Sequence, residues 1–301
     1  MHTRPILALA ASALVAAAAV GPAPSAEATY PGAVGRLAFG LTVDGNTDVY
    51  TTRADGSGLR RLTDAVGFDA CAAYDATGQW IAYCSDRTGV LQIWTMRADG
   101  TDERQVTTGP GRATFPDFSP NGKRIAFGLQ DPPTGPADIW TVRIGNGSLR
   151  QLTNTPTEHD NYPAYSPDGR SIIFLRFNAA RTSSQLWIMD RKGRHQRQLT
   201  FDATLKDQVP DWRPDGRKIA YQAGSDIWLI NPDGSGQVNI TNTPQVNEYG
   251  VAWSPDGKRI AFLNFGERVI YTMRSNGTDV RAVGAGLGVQ FVPGWQPRTR
   301  R

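Results

Sequence analysis

The sequence is poor in the residues that build metal centres and covalent catalytic sites. It has three histidines and two cysteines in 301 residues, so a zinc site held by two or three histidines is excluded. His2 lies in the N-terminal segment and His195 in a polar stretch typical of a solvated turn, which leaves His159. No Gly-x-Ser-x-Gly element is present, which argues against a serine nucleophile of the α/β-hydrolase type.

Only the N-terminal segment contains a long apolar run. Arg4 precedes the apolar stretch 6–20, and Ala26-Glu27-Ala28 fits the small-residue pattern of an export cleavage site. We therefore predict a signal peptide over residues 1–28, with an N-terminal membrane anchor as the alternative. A secreted or otherwise extracytoplasmic protein follows, one that is not an integral membrane protein.

The chain also lacks a strong charge of either sign. Its formal net charge is +4, and Arg298, Arg300 and Arg301 in the basic tail 298–301 supply three of those charges. The rest of the chain is nearly neutral, so we expect no clustered basic face. This expectation argues against nucleic acid as a partner.

What the sequence does contain is one repeat in six copies. The pattern is a strand ending in an aromatic residue, a Pro-Asp-Gly-type turn, a second strand, a third strand with an aromatic residue, and a Leu-Thr-type segment that ends in threonine in five of the copies and less clearly at Val283 in the sixth. The third-strand aromatic residues recur every 41 to 47 residues, at Tyr50, Trp94, Trp140, Trp187, Trp228 and Tyr271. Four short strands in a repeat of this length are typical of a β-propeller blade.

The two ends of the chain look like parts of a single blade. The first copy begins directly on a second strand at Gly35-Arg36-Leu37, whereas Phe291 to Pro297 has the pattern of a first strand. The sequence therefore predicts an all-β, six-bladed β-propeller over residues 29–297, closed by a C-terminal strand that completes the N-terminal blade. The expected blades are 35–63 with 287–297, 68–107, 113–153, 159–200, 206–241 and 246–283.

These units resemble those of the TolB-like propellers, whose WD-repeat-like pattern appears here as Trp253-Ser254-Pro255-Asp256-Gly257 followed by Ile260-Ala261-Phe262. The resemblance covers roughly residues 35–297 and implies the propeller fold. TolB itself has an α/β domain before its propeller, for which we expect no room here, so its role in the cell envelope is not carried over. Related propellers of prolyl-oligopeptidase-type enzymes accompany a separate hydrolase domain.

Acidic residues recur at one position of the repeat, five residues before the first-strand aromatic. That position holds Asp69, Ala113, Asp160, Asp207, Glu248 and Gln290. Because innermost strands surround the channel of a propeller, we expect these side chains, with His159, to line one mouth of it. An oxygen-rich set of this kind suits Ca²⁺, so Asp69, Asp160, Asp207 and Glu248 form a candidate metal site. The alternative is that the acids accept hydrogen bonds between blades.

The two cysteines flank one hairpin. Cys71 lies three residues before Tyr74, and Cys84 lies three residues after Ile81. If Tyr74 faces Ile81 across the turn, Cys71 faces Cys84, and an exported protein favours their oxidation. A disulfide is predicted, and two buried thiols are the alternative if a bulge shifts the register.

These features favour a secreted, monomeric, non-catalytic binding or scaffold propeller. Its channel mouth and loop face would meet a protein, a peptide or a cell-wall glycan, and the long second-to-third-strand insertions at 131–136 and 178–184 fit such a role. The alternative is a propeller enzyme, a polysaccharide lyase or hydrolase. It would use His159, Asp160, Asp207 and Glu248 in acid and base roles, with or without a metal.

Overall fold

The computed structural model describes residues 32–202, 207–243 and 245–298. The predicted signal peptide lies outside the described residues, as do the last three residues of the basic tail. All strands in the described part belong to six antiparallel sheets, and no helix is present in it. The same residues accordingly contain no helix long and apolar enough to cross a membrane.

Each sheet is one blade, and strands that follow one another in sequence lie side by side. Blades 1 to 3 contain β1 (Ala33–Val43), β2 (Asn46–Thr52) and β3 (Arg60–Arg61); β4 (Asp69–Tyr74), β5 (Trp80–Ser85), β6 (Gln92–Arg97) and β7 (Arg104–Gln105); and β8 (Arg112–Phe118), β9 (Arg124–Gln130), β10 (Ala137–Arg143) and β11 (Leu149–Gln151).

Blades 4 to 6 follow the same plan. They contain β12 (His159–Tyr165), β13 (Ser171–Phe177), β14 (Ser184–Asp190) and β15 (Arg197–Gln198); β16 (Asp207–Trp212), β17 (Ile219–Ala223), β18 (Asp226–Ile230) and β19 (Val238–Asn239); and β20 (Glu248–Trp253), β21 (Arg259–Asn264), β22 (Val269–Arg274) and β23 (Arg281–Val283). The six sheets form the ring of a β-propeller.

Blade 1 draws strands from both ends of the chain. Its innermost position is filled by β24 (Val289–Gln290) and β25 (Gly294–Arg298), which both pair antiparallel with β1. Trp295 lies opposite Leu37 in this pairing. Residues nearly 260 positions apart in sequence thus share one sheet.

The core is divided among the blade interfaces. In the described part of the chain, six clusters of buried apolar residues each join one blade to the next, and the last cluster joins blade 6 to blade 1. Leu37 of blade 1 and Ile270 of blade 6, for example, are both fully buried in that last cluster. A single blade would expose two apolar faces, so the fold becomes stable only as blades stack.

A threonine joins the third and fourth strands of five blades, and it is buried in four of them and half-buried in blade 5. Its Oγ1 accepts a hydrogen bond from a third-strand N–H fourteen residues earlier, at 2.8–3.0 Å. The threonines are Thr63, Thr107, Thr153, Thr200 and Thr241. These bonds explain why the repeat ends in Leu-Thr: a buried N–H without an acceptor would be destabilising.

The innermost strand of each of blades 2 to 6 contains a β-bulge that the repeat pattern did not reveal. In blade 2, for instance, Ala70 pairs with Cys84 and Ala73 with Ala82, so two residues oppose one. In blades 2 to 6 one bulge residue has a positive φ, namely Cys71 at 58°, Phe115 at 54°, Tyr162 at 55°, Val209 at 33° and Gly250 at 63°. Because side chains alternate between the two faces of a strand, one extra residue reverses which face every preceding residue occupies.

Candidate functional site

The bulges explain where the predicted acidic residues lie. In a regular strand, a residue five positions before the first-strand aromatic residue would point into the channel. The bulge adds one residue between the two, so the acidic side chains point towards the blade interfaces instead. Asp69 is 1% exposed, and its Oδ2 accepts a hydrogen bond from Arg87 at 2.7 Å. Asp160 is fully buried and holds Arg176 through both carboxylate oxygens, at 2.7 and 2.8 Å. The expectation that these two groups face the channel mouth is wrong.

Two further members of the predicted set tie a blade to the one before it. Oε2 of Glu248 accepts the N–H of Ile227 in blade 5, and Oε1 of Gln290 accepts the N–H of Ile270 in blade 6 at 2.7 Å. Blade 6 has no threonine at the end of its fourth strand, and Gln290 takes over that bond. Burial raises the pKa of Glu248, although its hydrogen bonds oppose the change.

The remaining two of the six predicted positions are those of Ala113 and Asp207. Ala113 is buried, and Asp207 pairs through its backbone in β16, while its side chain lies outside the described part. Among the described residues no group of three His, Cys, Asp or Glu side chains is placed to hold a metal ion. Ca²⁺ binding by the four predicted acids remains a prediction.

His159 lines an open cavity beside the first residues of the innermost strands β8 and β12. This mouth pocket, of about 280 Å³, lies between blades 3 and 4. Its lining includes two exposed arginines and three aromatic side chains, together with the amides of Asn161 and Gln130. The arginines are Arg112 and Arg181, and the aromatic residues are Phe115, Tyr162 and Phe177.

Hydrogen bonds fix the tautomer of His159 in the mouth pocket. Its Nδ1 lies 3.2 Å from the N–H of Ala137 and 2.8 Å from Nη2 of Arg181. Both neighbours can only donate, so Nδ1 of His159 is an acceptor and the proton of the neutral ring is on Nε2. Burial and the adjacent Arg181 charge lower the pKa of His159. The pocket therefore offers two guanidinium groups and a neutral imidazole N–H.

Two bulge residues, Phe115 and Tyr162, line both the mouth pocket and a second cavity next to it. Phe115 and Tyr162 stack with ring centroids 3.9 Å apart. The hydroxyl of Tyr162 lies 3.1 Å from that of Tyr249, which joins blade 4 to blade 6 past blade 5. The bulge side chain of Tyr162 thus reaches across the ring to Tyr249, and the aromatic spacing could have located its position only if the bulge had been known.

Two carboxyl groups line the cavity beneath these tyrosines, which has a volume of about 150 Å³. Asp117 and Asp211 lie one residue before the first-strand aromatic, where the other copies have Ala or Gly. Asp117 accepts the N–H of Tyr165 at 2.7 Å, and Asp211 accepts the N–H of Trp253 at 2.6 Å. Enclosure raises the pKa of Asp117 to about 8 and that of Asp211 to about 7.

The cysteines are free thiols in the structure, so the predicted disulfide is not formed there. Tyr74 does face Ile81, but the bulge places Ala70, not Cys71, opposite Cys84. The inference that the two cysteines lie directly opposite each other is wrong for this reason. Cys84 is fully buried and its Sγ accepts the N–H of Phe115. Burial, followed by its contact with Cys71, raises the pKa of the Cys84 thiol.

Known structures resemble this propeller across most of its length. TolB from Acinetobacter baumannii superposes with a TM-score of 0.74 at 20% identity, covering 88% of this chain and 67% of that one. A chain from a nidogen/laminin complex gives 0.72 at 11% identity, covering 88% of this chain and 99% of that one. Oligogalacturonate lyase from Vibrio parahaemolyticus gives 0.57 at 15% identity, covering 82% and 73%. At these identities the matches show the fold alone.

Family profiles match the sequence in two places. The profile of the N-terminal region of dipeptidyl peptidase IV matches residues 180–279. The profile of the TolB β-propeller domain matches residues 15–208, well over half of the chain. With six blades of the same repeat in the structure, the chain belongs to the TolB β-propeller family.

Proposed function

We propose that this protein is an extracytoplasmic, non-catalytic binding propeller whose mouth pocket captures a carboxylate group of a peptide or protein ligand. The observation that carries the proposal is that two exposed arginines, Arg112 and Arg181, line one cavity together with three aromatic side chains. A guanidinium group presents two parallel N–H donors to a carboxylate. The aromatic side chains would cover the apolar part of the same ligand.

The mouth pocket fits a ligand better than a reaction. Its histidine cannot accept a proton at Nδ1 while Ala137 and Arg181 donate to that atom. Two of the three acids predicted for the enzyme alternative are engaged elsewhere: Asp160 is held by Arg176, and Glu248 by backbone and threonine donors. An extracytoplasmic location is supported by the apolar N-terminal segment and by the family.

The proposal is tested by titrating the purified protein with tetraglutamate, with tetraglutamine of the same length, and with tetragalacturonate as a glycan probe. We expect tetraglutamate to bind and tetraglutamine not to bind. Arg112→Gln should weaken tetraglutamate about tenfold or more, because one charge-assisted pair is lost. Arg268→Gln is the matched control, since Arg268 stacks on Phe265 outside the mouth pocket, and it should change binding less than about twofold.

Two outcomes would contradict this function. Equal weakening by Arg112→Gln and Arg268→Gln would show that binding does not use the mouth pocket. Conversion of tetragalacturonate to an unsaturated product, followed by ultraviolet absorbance, would make the protein a lyase and remove the non-catalytic assignment. Binding of tetragalacturonate without conversion, and tighter than tetraglutamate, would replace the peptide by a glycan.

A further inference from the structure

A second concave surface lies at the opposite end of strand β8 from the mouth pocket. This basic groove, of about 770 Å³, is formed by the first and third turns of blades 3 and 4. Seven cationic side chains line it, together with a single carboxylate, that of Asp168. The cations are Lys123, Arg124, Arg143, Arg150, Arg170, Arg191 and Lys192. The expectation that the chain has no clustered basic face is wrong.

The charge of this groove is not balanced within the protein. Its seven cations and one acid have a net charge of +6. The formal net charge of the whole chain is +4, so all other residues together have a net charge of −2. In the described part of the chain only Arg170 of the seven forms an ion pair, with Asp168 at 3.7 Å. Arg150 instead donates to the carbonyl of Lys192 and so connects blade 3 to blade 4.

The equivalent positions of blade 6 have a counter-ion that blade 3 lacks. Strand pairing aligns Arg124, Arg143 and Arg150 of blade 3 with Arg259, Arg274 and Arg281 of blade 6. In blade 6 all three arginines converge on Asp279, at 2.8, 3.7 and 2.7 Å.

Blade 3 has Ser148 where blade 6 has Asp279. Blade 2 also has a carboxylate at this position, Asp102, paired with Arg97 and Arg104. The full framework of three arginines thus has its counter-ion in blade 6 and lacks it in blade 3, whereas blade 2 has Trp80 in place of the first arginine and keeps the counter-ion beside the other two. Like charges held together in this way repel one another unless an anion joins them.

We infer that the basic groove binds a linear polyanion that has phosphate groups along its backbone, on the face opposite the mouth pocket. Arginine, which makes up five of the seven cations, recognises phosphate through two N–H donors at once. The only aromatic side chain in the lining is Tyr165, which is buried. Single-stranded nucleic acids need aromatic side chains on which bases stack, so the groove fits a polymer without bases.

The experiment compares two double variants that remove the same charge from equivalent positions. Arg143→Ser with Arg150→Ser removes two of the three arginines of the blade 3 framework, and Arg274→Ser with Arg281→Ser removes the equivalent two in blade 6. Binding of fluorescein-labelled linear polyphosphate is followed by anisotropy over a range of salt concentrations. The blade 3 variant should bind about tenfold more weakly, with a salt slope lower by about 1 to 2 because two phosphate contacts are lost. The blade 6 variant should bind within about twofold of the unaltered protein.

Equal losses in the two double variants would show that polyphosphate binds by net charge alone and would overturn the inference. Tighter binding of a DNA duplex than of polyphosphate, with the same loss in the blade 3 variant, would assign the groove to nucleic acid and overturn the polymer class. Thermal unfolding of both variants shows whether they remain folded, and Ser148→Asp provides a second test. It restores the counter-ion without removing an arginine and should also weaken polyphosphate binding. None of these variants touches the mouth pocket, so failure here leaves the proposed function standing.

Discussion

At the scale of single residues, the side chains of Asp117 and Asp211 each form a hydrogen bond to the neighbouring blade. Asp117 of blade 3 accepts an N–H of blade 4, and Asp211 of blade 5 accepts an N–H of blade 6. Both carboxyl groups border a small cavity and are otherwise enclosed, and enclosure disfavours the charged form. The proton each retains is therefore linked to the stability of the ring.

We predict that Asp117→Asn makes the protein more stable at alkaline pH. The pKa of Asp117 is about 8 in the folded protein and about 3.9 in an unfolded chain. Its contribution to stability is thus complete below about pH 4 and is lost as the pH rises through about 8. Asparagine keeps the acceptor for Tyr165 and never ionises, so at pH 8 the variant should be more stable by roughly 1–3 kcal/mol.

Urea unfolding at pH 5 and pH 8 measures this effect. Asp44→Asn is the control, because Asp44 is exposed in a hairpin turn with a φ of 52° that asparagine also adopts. The control should follow the unaltered protein at both pH values. A constant difference between Asp117→Asn and the unaltered protein from pH 5 to pH 8 would contradict the assignment of the proton to Asp117.

At the scale of elements, the bulges in the innermost strands of blades 2 to 6 decide which face of the strand the preceding side chains occupy. Non-glycine residues occupy the left-handed position of the bulge in four blades, and glycine occupies it in blade 6. The reason is local. A Cβ on Gly250 would lie 2.7 Å from Cγ2 of Val292, on the segment between β24 and β25. The closing segment thus dictates a glycine that the other blades do not need.

We predict that Gly250→Ala destabilises the protein by about 1–3 kcal/mol more than Gly286→Ala. Both glycines have a positive φ, 63° and 82°, so both substitutions introduce the same kind of backbone strain. A Cβ on Gly286 meets nothing within 4 Å, so only Gly250→Ala adds a clash. Denaturant midpoints of the two variants give the comparison, and equal midpoints would show that Val292 can move aside.

At the scale of the whole molecule, the ring is closed by non-covalent contacts in blade 1. Trp295 is almost fully buried, and its Nε1 donates to the carbonyl of Ala252 at 3.1 Å. Trp212 makes the equivalent bond to Ala164 in the continuous part of the ring, at 3.2 Å. The two tryptophans therefore have the same role in packing and differ in whether the chain is continuous beside them.

We predict that Trp295→Ala and Trp212→Ala each lower the free energy of unfolding by about 3–5 kcal/mol, because both leave a cavity and an unpaired carbonyl. Only Trp295→Ala should release the closing segment. Limited proteolysis at 25 °C followed by mass spectrometry should detect early cuts between residues 284 and 293 in that variant alone. Identical cleavage patterns in the two variants would show that the closing strands are held independently of Trp295.

The charge distribution is also a property of the whole molecule. The mouth pocket and the basic groove lie at opposite ends of β8, one beside Arg112 and the other beside Ser119 and Lys123. Arg112 lines the mouth pocket and Arg170 lines the basic groove. The net charge of +4 does not indicate that positive charge is concentrated on two separate faces. Two ligands could therefore occupy the protein at once without sharing a side chain.

The sequence by itself determined the six-bladed architecture. Alternating apolar strands, tight turns and the Leu-Thr ends recur at a fixed spacing, and such local signals are set by residues close together in the chain. It also pointed to His159 as a candidate, from its place at the start of an innermost strand, and the structure has this residue in the lining of the mouth pocket. The pairing of Tyr74 with Ile81 follows from the same local geometry.

Only the tertiary structure decided which side chains face which cavity. One extra residue in the innermost strands of blades 2 to 6 moved Asp69 and Asp160 into blade interfaces and took Cys71 out of register with Cys84. A bulge leaves little trace in sequence, because its left-handed position accepts Cys, Phe, Tyr, Val or Gly here. The basic groove was equally hidden, since its cations come from turns of two blades and meet only when those blades stack.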